Sequence, residues 1–119
     1  MAEAFDAPTV RARLEEVRAA AQGRLAALDR SFDDVVTAAE GANTDDEHDP
    51  EGSTIGFERA QVTALAEQAR QSLADAAAAL ARLDAGTYGR CTGCGQDIPA
   101  ARLAVRPTAT MCVECAARR

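Results

Sequence analysis

Four cysteines, Cys91, Cys94, Cys112 and Cys115, are all the thiols of the chain, and they fall as two C-x-x-C pairs with seventeen residues between the pairs. Two residues between cysteines let one tight turn present two sulfurs, and two such claws can close a tetrahedron around Zn2+ with each sulfur about 2.3 Å from the ion. Four thiolates fill that coordination sphere, so the expected cofactor is a single structural zinc with no open position for catalysis. Gly95, directly after Cys94, suits a backbone that needs positive φ to fold over the sulfurs. Arg90 and Arg102 stand near enough in sequence to offset the thiolate charge. An even cysteine count also suits two disulfides, but Met-Ala-Glu-Ala-Phe-Asp at the start has neither the basic residues nor the apolar run of a secretory signal. A thiol-redox site would call for a βαβ setting that this sequence lacks.

Two periodic segments precede the cysteines and must position them. In the first, Asp6 and Pro8 suit a helix start, and Glu15 and Glu16 are expected to favour its dipole. Leu14, Val17, Ala21, Leu25, Leu28, Phe32, Val35 and Ala39 then trace one apolar stripe. The second segment is expected to open after Gly52, with Ser53 or Thr54 as cap. From Val62 through Ala66, Ala69, Leu73, Ala76 and Leu80 to Leu83 its steps alternate four and three, a sustained heptad. Two helices of about thirty residues, about 45 Å each at 1.5 Å per residue, must pack antiparallel to bury these stripes. Gly86 is the expected glycine just past the second helix. Tyr88, Ile98, Leu103, Val105 and Pro107 are then available as a small apolar floor under the metal.

The expected fold is therefore mostly α: a long antiparallel helical coiled-coil hairpin over residues 1–85, followed by a small C-terminal four-cysteine zinc finger over 86–119. The turn of the hairpin, residues 41–52, concentrates five carboxylates, Asp45, Asp46, Glu47, Asp49 and Glu51. A solvated loop whose acids support the next helix start is one reading of it; a functional acidic tip is the other. Glu47 to Glu58 matches much of an EF-hand loop in spacing, yet glutamate stands at its first position and no paired hand is present.

With 119 residues and 3% aromatics the chain holds little material for a thick core, and its apolar fraction is largely alanine, which favours close helix packing. A net charge of −6 disfavours a broad electrostatic grip on DNA. No stretch approaches the roughly 18 apolar residues of a membrane span. Reduced thiols and the missing signal point to the cytoplasm.

The residues from Gly86 onward, Gly-Thr-Tyr-Gly-x-Cys-x-x-Cys-Gly-x-x-Ile-Pro-x-x-Arg-Leu-x-x-x-Pro-x-Ala-x-x-Cys-x-x-Cys, together with the hairpin and its acidic turn, resemble the DksA/TraR family of zinc-finger transcription regulators. The resemblance implies a protein that binds bacterial RNA polymerase directly and does not read DNA sequence. It implies that the hairpin enters the secondary channel of the enzyme and brings acidic tip residues near the active-site Mg2+, in some members together with ppGpp; nothing in this sequence assigns ppGpp a site. The tip departs from the D-x-x-D-x-A signature of the family. Starting from Asp49 puts Gly52 and Thr54 at the second and third marked positions, whereas starting from Asp46 keeps Asp49 but puts Glu51 in place of alanine. Four residues follow Cys115, so contacts made by the longer terminal helix of larger members are not expected here.

Two functional classes follow. One is a non-enzymatic transcription regulator with the zinc finger as clamp and Asp45, Asp46, Glu47, Asp49 and Glu51 as functional tip. The other is a zinc-ribbon adaptor whose coiled coil docks a helical partner or self-associates. A DNA-binding ribbon has only the local excess of Arg90, Arg102, Arg106, Arg118 and Arg119 in its favour, and no nucleophile–base pair points to an enzyme.

Overall fold

The computed structural model describes residues 5–42 and 50–118. Four helices order that span: α1 (Ala7–Ala42), α2 (Pro50–Ala85), α3 (Ala100–Val105) and α4 (Val113–Ala117). Among the described residues the only extended pairing is an isolated antiparallel bridge between Arg90 and Asp97.

The ends of the two long helices have local causes. Asp6 caps α1: its carboxylate accepts the Thr9 N–H at 3.2 Å and also the Thr9 hydroxyl. Glu15 and Glu16 lie beyond the first turn, where the helix dipole is weak, and Glu15 instead pairs with Arg18 at 2.5 Å. α2 opens at Pro50, ahead of the expected Ser53 or Thr54 cap. Proline is suited to that first position because its missing N–H would have had no partner inside the helix. Both helices thus run 36 residues, longer than the spacing alone suggested. α2 closes in a Schellman motif: Gly86 turns to φ +80, its N–H reaches the Leu83 carbonyl at 3.3 Å, and the Thr87 N–H reaches the Arg82 carbonyl at 2.9 Å.

The chain packs as two compact units, residues 20–72 and residues 1–19 with 73–119. In the first, α1 and α2 run antiparallel with Ala21, Ala66 and Ala69 buried between them and Leu25, Leu28, Ile55 and Val62 half-buried. In the second, the first turns of α1 meet the last turns of α2, again antiparallel, and Arg11 pairs with Asp84 across them. Its core joins Leu14, Ala79 and Leu80 to Tyr88, Cys91, Ile98, Leu103 and Ala109. Phe5 stands edge-on to Tyr88 with ring centroids 4.9 Å apart. Every described member of the two expected stripes lies on a packed face. Phe32, Val35 and Ala39 fall outside the residues whose side chains are described. Val105, expected in the floor, is instead 77% exposed at the end of α3, and Met111 takes part in that core.

Candidate metal centre

The first claw is a knuckle built by the backbone. The Cys91 N–H donates to the Gln96 carbonyl at 2.8 Å and the Gly95 N–H to the Cys91 carbonyl at 3.0 Å, a turn that needs the φ of +74 found at Gly95. The Ile98 N–H donates to Gly89 O at 2.7 Å, completing the ribbon edge. Gly89, at φ +85, also leaves room for the Phe5 ring, which would lie 3.2 Å from a Cβ there. The second claw sits at the start of α4, with Cys112 at its N-cap and Cys115 inside it. A bond from the Thr92 N–H to the Thr110 carbonyl, 2.8 Å, ties the two claws together. Arg102 braces the approach to Cys112 by donating from Nε to the Met111 carbonyl at 2.7 Å.

This scaffold brings the four Sγ atoms within 4.8 Å of one another, with Cys91 and Cys112 3.8 Å apart and Cys94 and Cys112 4.0 Å apart. A tetrahedron with Zn–S bonds of about 2.3 Å requires S···S separations of about 3.8 Å, so the donor set fits one Zn2+ in both chemistry and spacing. The thiols are reduced, with no disulfide among them. Cys91 is almost sealed at 2% exposure, whereas Cys94 is exposed.

Electrostatics prepare the sulfurs unequally. The N–H groups of Cys112 and Gly93, each 3.3 Å from Cys91 Sγ, stabilise its thiolate and hold the thiol at about 6, below its ordinary 9.0, against an opposing effect of burial. Cys115 is pushed up to about 12, chiefly because it shares its proton with the Cys112 sulfur. Arg118, whose Nη2 lies 3.6 Å from Cys115 Sγ, acts in the opposite direction. Arg118 is thus the arginine that faces the sulfurs, the role sequence proximity suggested for Arg90 and Arg102. Gly93 was likewise missed: a Cβ there would meet Cys115 Sγ at 2.9 Å. A glycine inside the first claw is its only sequence signal.

Of the acidic residues expected at the tip, Asp45, Asp46, Glu47 and Asp49 lie outside the described residues. Glu51 is the second residue of α2, and its side chain lies outside them too. No helix of the described residues is long and apolar enough to cross a membrane.

A hairpin of two long helices carrying a C-terminal finger with four converging cysteines defines a class, the helical-hairpin proteins with a C4 zinc finger. Residues 86–119 match the family described as the prokaryotic dksA/traR C4-type zinc finger. The fold matches the solved structure of transcription factor DksA2 from Pseudomonas aeruginosa with a TM-score of 0.76 at 29% sequence identity, over 94% of this chain and 81% of that one. No curated protein matches the sequence. The finger carries that zinc-ligand signature, and over nearly the whole chain the fold is similar to that of a DksA-type transcription factor.

Proposed function

We propose that this protein regulates transcription by binding bacterial RNA polymerase directly, with residues 1–85 as a hairpin probe that enters the secondary channel and residues 86–119 as its zinc-clamped base. The observation that carries this reading is the likeness to DksA2, which covers hairpin and finger together and is not confined to the metal motif. Cys91, Cys94, Cys112 and Cys115 hold one structural zinc. Bound there, the ion cross-links the two claws and supplies folding free energy that so small a floor lacks. The chain does the rest: backbone N–H groups orient the Cys91 thiolate, Arg118 balances charge at Cys115, and the hairpin reaches the partner.

In this reading the acidic tip, Asp45, Asp46, Glu47, Asp49 and Glu51, acts near the Mg2+ of the polymerase, to which carboxylates are attracted through a cation-lined interior. The zinc-loaded protein therefore co-purifies with core polymerase in the absence of DNA. An absence of binding to core or holoenzyme at micromolar concentration and moderate salt would sink the reading. Asp49→Asn changes transcript yield more than polymerase affinity, because the shaft and base supply the contacts; equal losses of both would count against that division.

A further inference from the structure

The four sulfurs of the metal centre are held by very different amounts of protein. Cys91 is sealed at 2% exposure, and its Sγ accepts the N–H groups of Gly93 and Cys112, each 3.3 Å away. Cys115 is half-buried, with Arg118 Nη2 3.6 Å from its sulfur and Gly93 so close that a Cβ there would meet Sγ at 2.9 Å. Cys112, also half-buried, is fixed as the N-cap residue of α4. Cys94 has none of these supports. It is exposed, its Sγ accepts no N–H among the described residues, and the knuckle around it is exposed throughout residues 92–97. The sequence loosens it further, because Cys94 stands between Gly93 and Gly95 and no side chain on either neighbour restrains the turn. A Cβ at Gly95 would have nothing within 4 Å, so the outer side of the knuckle is open to approach.

We propose that Cys94 is the exchangeable ligand of this centre, the sulfur that gives up its place to an incoming thiolate, so that zinc is loaded and withdrawn through the exposed knuckle while Cys91, Cys112 and Cys115 keep their hold. Packing and directed N–H groups keep a ligand in position and shield it from attack, and a bare sulfur at the surface has neither restraint. In the exchange the bond from the metal to Cys94 Sγ breaks as the bond to the incoming sulfur forms. The freed Cys94 sulfur takes a proton from solvent, and no electron is transferred. The partner this chemistry fits is a soft dithiolate, since thiolate is the ligand class that competes with cysteine for Zn2+. The inference rests on one zinc at these four cysteines and not on polymerase binding, and elemental analysis of the purified protein tests that footing separately.

The test uses the zinc-loaded full chain. Brief exposure to iodoacetamide, mapped by mass spectrometry, is expected to modify Cys94 about tenfold faster than Cys91, Cys112 or Cys115. Zinc transfer to the dithiol dimercaptopropanesulfonate should proceed at a rate proportional to the dithiol concentration, the mark of an incoming sulfur. Cys94→Ser is expected to purify with zinc and with a folded finger in its NMR spectrum, whereas Cys91→Ser purifies without metal. First modification at any other cysteine, or equal rates at all four, would overturn the proposal. So would a transfer rate that does not depend on dithiol concentration, or a Cys94→Ser protein as devoid of zinc as Cys91→Ser.

Discussion

Gly93 and Gly95 sit two residues apart in one knuckle and are held there by different physics. Gly95 needs its left-handed φ but faces open space, so Gly95→Ala costs backbone strain of about 1 kcal/mol and leaves the sulfurs where they are. Gly93 has no such φ; what it lacks is room, since a Cβ would press on Cys115 Sγ and Cβ at 2.9 and 3.0 Å. Gly93→Ala is therefore expected to weaken zinc retention by at least about tenfold in a chelator competition, more than Gly95→Ala does, because the ligand itself must move. Protons compete for the same sulfurs. The Cys91 thiol is lowered to about 6, so the stabilisation its thiolate contributes is complete above 9.0 and lost as pH falls through about 6. Below that value zinc must displace about one more proton than above it, and a plot of log apparent affinity against pH should steepen by about one unit there. An unchanged slope would mean that Cys91 is not held as thiolate.

The long helices owe their stops to single residues. Gly86 carries φ +80 with nothing within 4 Å of a would-be Cβ, so alanine there meets no steric obstacle but must adopt the left-handed backbone. Gly86→Ala is predicted to lower stability by about 1 kcal/mol, read in thermal unfolding of the zinc-loaded protein, while Asp6→Ala at the start of α1, in the same unit, costs a similar amount by removing the α1 cap. Along the shaft the alanine-rich seam was legible because heptad steps need only residue type and order. The start of α2 was not: Pro50 and Gly52 read as turn residues, and only a helix that enters at Pro50 turns the missing N–H into an advantage. Val105 misled for a related reason, since its apolar side chain projects from the end of α3 into solvent while Leu103, two residues earlier, faces the core.

At the scale of the molecule, zinc and helix packing stabilise different parts. The finger shares one core with the first turns of α1 and the last turns of α2, yet that core is small, with Ile98, Leu103 and Tyr88 its largest members from the finger. Tyr88 anchors it by donating its hydroxyl to the Pro107 carbonyl at 2.6 Å. Apparent zinc energies of about 10–16 kcal/mol in small structural sites exceed what such a floor supplies, so removing zinc should unfold the finger before the long helices. Hydrogen exchange followed after chelation is expected to rise first across residues 86–118 while residues 20–30 and 60–72 stay protected. Simultaneous loss of both would show that the metal also holds the hairpin together.

From residue order alone, the two claws, the two stripes, the glycine after α2 and the positive φ at Gly95 can be read, because each depends on neighbours a few positions away: ligand spacing, helical period and backbone sterics are local. Folding decided what depends on residues distant in the chain. Gly93 matters because Cys115 arrives beside it, Arg118 and not Arg90 or Arg102 faces a sulfur, and Phe5 reaches Tyr88 and Gly89 from the opposite end of the sequence. The unequal exposure of the sulfurs belongs to the same group. Cys91 and Cys94 share one C-x-x-C claw, and only the packed finger, in which the Cys112 N–H of the second claw reaches Cys91, determines that one is sealed and the other faces solvent.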